Sequence, residues 1–218
     1  MIGEAAQDYL KAIYKLSTSD RRCTPTLVAE RMSVSPAAVT KMLRRLQELK
    51  LVEYERTQEV RLTPAGEKVA LEIIRHHRLI ETYLKEALGY TWDQVDSEAE
   101  KLEHVISEEF EEKIAELLGH PTHDPHGDPI PTKDGRICQK RHAPLADMEA
   151  GQAAVVRRVT DGDPAMLRYL GDLGLYPDAS VEMLAKEPYG GSLRIRVDGA
   201  NQSVGRELAE NVFVELGE

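Results

Sequence analysis

Cysteine is scarce in this 218-residue chain: Cys23 and Cys138 are the whole supply. Two thiols are too few for the disulfide framework of a small secreted domain. Long hydrophobic runs are missing as well, and no stretch of about eighteen apolar residues is present to form a membrane-spanning helix. The opening MIGEAAQDYLKAIYKLSTSD mixes acids into an amphipathic pattern, where a secretory signal has a basic start and an unbroken apolar stretch. These absences lead to the expectation of a cytoplasmic protein with no membrane partner. Aromatic residues make up only 5% of the chain, and positive charge is outweighed, with 28 Lys and Arg against 38 Asp and Glu.

That deficit of positive charge is uneven. Residues 1–64 carry 11 basic against 8 acidic side chains, a balance of +3. Residues 65–142 carry 10 against 17, and residues 143–218 carry 7 against 13, balances of −7 and −6. A basic head therefore precedes an acidic body; phosphates attract the head, and the acid surplus is available to cations.

Within the head, Tyr9, Ala12, Ile13 and Leu16 fall at i, i+3, i+4 and i+7, which predicts a helix over about 3–18. Thr24 or Thr26 is placed to cap a short helix through Met32. After a break at Ser33-Val34, Ser35 caps a second helix with Pro36 at its first position. LVEYERTQEVRLTPAG then reads as two short strands around a polar turn. This order is that of a winged helix-turn-helix, a DNA-binding module. Two long helices follow, over about 66–90 and 93–118, with more apolar surface than they can bury on each other, and a second copy of the chain is the natural outlet. Residues 119–142, rich in Pro, Gly and His, read as a linker, and the short strands from about 150 onward read as a small SH3-like β-barrel. The expected fold is mainly α with a small β domain, divided as a DNA-binding domain 1–64, a helical dimerisation and metal-binding domain with linker 65–142, and a barrel 143–218.

Acids and histidines recur at helical spacing in the body. Glu100, Glu103 and His104 occupy i, i+3 and i+4 and would share one face of the 93–118 helix, able to converge on one ion. His77 and Glu81 form an i, i+4 pair on the preceding helix, and the linker offers His120, His123, Asp124 and His126. An acidic helix face is often only hydrated surface, and a linker histidine often only solvated.

The stretches QDYLKAIY (7–14), HRLIE (77–81), EKLEHVISEE (100–109), GDPIP (127–131) and YLGDLGL (169–175) resemble the diphtheria toxin repressor and manganese transport regulator family of metal-dependent repressors over nearly the full length. The resemblance implies a FeoA-like C-terminal barrel, a homodimer and a palindromic double-stranded DNA operator, with no small-molecule substrate. It also implies a primary metal site at Asp8, Glu100, Glu103 and His104. Iron-responsive members carry Met at the position of Asp8 and Cys at that of Glu100, whereas this chain has carboxylates at both, as manganese-responsive members do. Hard oxygen ligands suit Mn²⁺. Fe²⁺ is the alternative physiological ion, and Zn²⁺, Co²⁺ and Cd²⁺ are expected in vitro substitutes. A second site is implied at His77 and Glu81 with Asp124 and His126, and Asp161 and Asp163 are candidates from the barrel. Lys11 stands where two-domain manganese regulators have glutamate, which argues against their closely paired two-metal site.

The expected mechanism is that a divalent cation neutralises crowded carboxylates and ties the first helix to the body, setting the recognition helices of a dimer for successive major grooves about 34 Å apart. Ser35, Ala37, Thr40, Lys41 and Arg44 on the recognition helix, with Arg56 and Arg61 in the wing, are the DNA-contact candidates. Repression of metal-uptake genes is the implied output. The rival classes are an iron sensor of the same kind, a metal-dependent hydrolase, which lacks any accompanying nucleophile or oxyanion motif, and an adaptor using the barrel, which lacks an aromatic groove.

Overall fold

The computed structural model describes residues 2–18, 22–55, 59–138 and 140–217. Contacts divide the chain into two compact units. One comprises Met1–His77, Leu102–Ile106 and Pro131–Arg136; the other comprises Arg78–Lys101, Ser107–Ile130 and Ile137–Glu218.

In the first unit, helix α1 (Glu4–Ser17) packs on α2 (Pro25–Met32), α3 (Pro36–Glu48) and the second strand of the hairpin β1 (Val52–Glu53) and β2 (Arg61–Leu62). Local chemistry sets these boundaries. Thr24 accepts a hydrogen bond from the Leu27 amide at 3.3 Å, and Ser35 accepts from the Ala38 amide at 3.3 Å; each cap is followed by proline, whose missing N–H costs nothing at the first helical position. Ser33 ends α2 in the left-handed region with φ of 52°. Leu10, Ile13, Val28, Val39, Leu43 and Leu46 are fully buried, each such side chain contributing about 1.5–3 kcal/mol. The wing pairs Val52 with Leu62 and Glu53 with Arg61, antiparallel. Helix α4 (Pro64–Leu88) begins so close to the Leu51 carbonyl that a Cβ on Gly66 would fall 1.9 Å from its oxygen.

The single helix expected over 93–118 is instead two, α5 (Val95–Leu102) and α6 (Glu108–Leu117). The physical reason is a start signal inside the run: Ser107 accepts from the Phe110 amide at 3.2 Å, and Glu108, Glu109 and Glu111 fill the positive first turn. Glu103 and His104 consequently stand in the turn between helices rather than on one helical face.

The stretch expected to be an unstructured linker is also ordered in part. In the second unit, His123 bridges to Pro129, the Asp124 carboxylate accepts from the His126 and Asp128 amides at 2.8 and 3.0 Å, and Ile130 is buried with Leu79, Ile114 and Ala115. Arg78 donates to the Pro129 carbonyl at 2.5 Å.

The C-terminal residues form a six-stranded antiparallel sheet in the order β3 (Ala143–Pro144), β8 (Val212–Leu216), β4 (Ala153–Val159), β5 (Ser180–Lys186), β6 (Leu193–Val197), β7 (Ala200–Val204), with helices α7 (Pro164–Asp172) and α8 (Arg206–Ala209). The sheet is not closed into the expected barrel: β3 and β7 remain edges. Strand β3 is two residues long and ends in Pro144, which has no N–H to extend a ladder. Alternation in β6 places Leu193, Ile195 and Val197 inward with Arg194 and Arg196 outward, and the core gathers Val156, Leu170, Met183, Val204 and Val214 with Trp92.

The 123–130 turn is welded to β4. The Val159 amide donates to the His126 carbonyl at 2.9 Å, and Gly127, at φ of 89°, lies where a Cβ would fall 1.9 Å from the Arg157 carbonyl oxygen. Gly127→Ala is expected to cost about 2 kcal/mol or more through strain and that clash, measured as a lowered midpoint in urea unfolding.

Candidate metal centre

Helix α1 carries Gln7, Asp8 and Lys11 within one turn, α4 carries His76 and His77, and the α5–α6 turn carries Glu103 and His104. In the first unit these groups converge. His104 Nε2 lies 2.8 Å from Asp8 Oδ1 and 3.5 Å from Glu103 Oε1. Its other nitrogen, Nδ1, donates to Gln7 Oε1 at 2.9 Å, which turns Nε2 toward the carboxylates. Asp8, Glu103 and His104 thus offer two oxygens and one nitrogen within 4.8 Å of one another.

Glu103 has no exposed surface. The Lys11 ammonium donates to both its oxygens, at 2.9 and 2.7 Å, and His77 Nδ1 lies 2.5 Å from Oε2. His76 Nδ1 donates to the Glu103 backbone carbonyl at 3.0 Å. Burial alone would raise the Glu103 carboxyl, but the His77 hydrogen bond and the Lys11 charge outweigh it and hold the group below its usual range, as a carboxylate. Glu100 lies near the end of α5 in the other unit, exposed, three residues before Glu103 in the chain.

A second cluster lies within the second unit. Glu81 from α4 and Asp124 and His126 from the 123–130 turn, all buried, present ligand atoms within 4.8 Å of one another. His126 Nε2 donates to the Trp92 carbonyl at 2.7 Å, and its Nδ1 faces Glu81 Oε1 at 3.6 Å. Burial, then Glu81 and Asp128, push the Asp124 carboxyl up to about 7 despite Arg78, whose Nε lies 3.4 Å away. Burial opposes charge on His126, yet Glu81, Asp124, the Trp92 carbonyl and Asp161 together raise it. Glu81 acts in both shifts, repelling a charge on Asp124 and attracting one on His126, so three buried acid and imidazole groups face one another here. The donors fit a divalent cation, hard oxygens with one imidazole. Asp161 contributes by its charge, whereas Asp163 Oδ1 accepts from the Ala165 amide at 2.8 Å and caps α7. His120 and His123 are exposed.

On α3, Ala37, Thr40, Lys41, Arg44, Arg45 and Glu48 line one open depression, and Ser35 is exposed at the start. The Thr40 hydroxyl donates back to the Pro36 carbonyl at 2.9 Å, and Arg61 in the wing donates to Glu59 at 2.8 Å. Arg56 lies outside the described residues. Sequence reading missed Gln7, His76 and the inward turn of Lys11. No pattern marks the two polar contacts, but Lys11 follows Asp8 by three residues on α1 and so shares its helical face, which was the signal that it points into the site.

The family model described as the iron dependent repressor N-terminal DNA binding domain matches residues 1–60, the iron dependent repressor metal binding and dimerisation domain matches 63–132, and the FeoA domain matches 143–216. The iron-dependent repressor IdeR of Mycobacterium tuberculosis is 30% identical over 97% of each chain. A solved manganese-dependent transcriptional repressor in complex with manganese is 37% identical, with a TM-score of 0.91 over 97% of this chain and 100% of that one. The structure of ScaR with bound Cd²⁺ is 33% identical, with a TM-score of 0.81 over 96% and 98%. No described helix is long and apolar enough to cross a membrane. The chain therefore belongs to the iron-dependent repressor family, whose members are DNA-binding, metal-dependent transcriptional regulators rather than enzymes.

Proposed function

We propose that this chain is a Mn²⁺-activated repressor of metal-uptake genes, acting in the cytoplasm as a homodimer on a palindromic operator. The observation that carries the choice of ion is the donor set: Asp8, Glu103 and His104 supply carboxylate and imidazole with no thiol or thioether. Glu81, Asp124 and His126, with Asp161, are the proposed second site. When bound, a divalent cation would supply positive charge to the carboxylates of each site. The likeness to a repressor solved with manganese supports this reading. The likeness to iron-dependent IdeR supports Fe²⁺ as the second reading, since Fe²⁺ accepts the same donors.

The residues transmit the tie to DNA through packing. Asp8 sits on α1, and α1 packs on α2 and α3, so fixing Asp8 against His104 restricts the helix that carries Ala37, Lys41 and Arg44. Ordering the head in advance lowers the entropy cost of docking in the major groove, a shift in population rather than a new base contact. Arg45, beside the proposed contacts on the same open face, joins them as a phosphate-binding candidate. Pairing of two chains has an apolar surface available: Leu88, Tyr90, Phe110 and Leu117 are exposed in the second unit. The proposed division is a head to residue 64, a metal-binding and dimerising middle to 142, and the FeoA domain beyond.

Asp8→Ala is expected to abolish Mn²⁺-stimulated operator binding in a gel-shift titration while sedimentation still gives the wild-type oligomer; an unchanged metal response would remove Asp8 from the site. Repeating the wild-type titration anaerobically with Fe²⁺ ranks the two ions. The single tryptophan, Trp92, stacks on His126 with ring centroids 5.9 Å apart. Its emission is therefore expected to change on Cd²⁺ addition to the wild type and to Asp8→Ala, and to stay flat in His126→Ala.

A further inference from the structure

A lysine is a costly residue to bury. Its ammonium must exchange water for fixed partners, and an apolar residue of similar length would fill the same space without that cost. Lys11 is nonetheless buried on α1, with Nζ 2.9 and 2.7 Å from the two oxygens of Glu103 and 3.2 Å from His77 Nδ1. One ammonium thus holds both acceptor atoms of the carboxylate that also stands 3.5 Å from His104 Nε2. Glu103 cannot give both oxygens to Lys11 and also coordinate a divalent ion without weakening one of the two interactions. A positive charge next to the proposed ligand set repels an incoming cation whichever oxygen that cation takes.

We propose that Lys11 is an internal counter-cation that competes with the divalent metal for Glu103. The inference rests on the metal-site reading above and deepens it. Metal uptake is then an exchange of cations rather than the filling of a bare acidic pocket. In the absence of metal, Lys11 neutralises Glu103 and keeps the α1 side of the site folded, so the carboxylates need not spring apart. As metal concentration rises, the ion has to outcompete the ammonium, which places the threshold for repression above what Asp8, Glu103 and His104 would set by themselves. Lys11 is in this sense a residue that sets metal affinity while contributing no ligand, because a lysine ammonium has no lone pair to offer.

Lys11→Met keeps the length and removes the charge; Lys11→Arg keeps the charge. Mn²⁺ binding is read from the loss of the free aqua-ion signal in electron paramagnetic resonance, and stability from thermal melts in chelator. Lys11→Met is expected to bind Mn²⁺ about tenfold more tightly or better, because the ion no longer displaces a buried partner, and to melt lower than the wild type in chelator. Lys11→Arg is expected to stay near the wild type in both. Should Lys11→Met prove unfolded in chelator, its refolding by Mn²⁺ at a concentration below the wild-type midpoint is the supporting result. Equal or weaker Mn²⁺ binding by Lys11→Met would overturn the proposal, since a lysine that merely orients Glu103 for the metal would give that outcome. A tenfold gain in Lys11→Arg would overturn it as well. A wild-type chain that binds no Mn²⁺ would overturn the metal-site reading itself, which separates the two failures.

Discussion

A carboxylate with no exposed surface has to be answered by the protein around it, and Glu103 is answered from three directions. Lys11 reaches it from α1, His77 from α4, and His76 holds its backbone carbonyl. Losing one side of such a buried pair typically costs about 3–5 kcal/mol, more than most single apolar contacts, so this group fixes where α1 and α4 stand against the turn that carries it. The helix break at 103–107 and the proposed ligand cluster are therefore one feature.

The two acidic clusters balance their charge differently. Around Glu103, a lysine and a histidine offset burial, and the group is held ionised. Around Asp124, burial and the neighbouring Glu81 and Asp128 prevail over Arg78, and the carboxyl rises to about 7. Desolvation acts in the same direction in both places; the difference is that Lys11 holds both oxygens of Glu103 at 2.9 and 2.7 Å, whereas Arg78 Nε stands 3.4 Å from Asp124 with Glu81 and Asp128 opposing it. His126 adds a geometric refinement: by donating Nε2–H to the Trp92 carbonyl it turns its other nitrogen toward Glu81.

Much of the head could be read from the chain because its signals are local. Thr24, Ser35, Pro25 and Pro36 declare helix starts within a few residues, and the burial of Val39, Leu43 and Leu46 follows helical spacing. The middle was harder. Glu100, Glu103 and His104 keep a helical spacing although only the first lies in a helix, and the Ser107 cap that ends the pattern was overlooked among the acids that follow it. The ordering of 123–130 depends on Arg78, on Leu79 and Ile114 packed around Ile130, and on the last residue of β4, partners far away in sequence that no periodicity announces. Openness of the sheet likewise turns on whether β3 and β7 meet, a long-range pairing invisible in the alternation of either strand.

The hydrogen bond from the Val159 amide to the His126 carbonyl bears on modularity. A chain cut at the start of the FeoA domain would strip that carbonyl of its donor and uncover the flank of Gly127, which lies against the Arg157 carbonyl. The turn bearing Asp124 and His126 would then have to be rebuilt by solvent alone. The C-terminal sheet is thus a splint for the turn, and any shortened or chimeric version of this protein would have to supply a strand edge in its place.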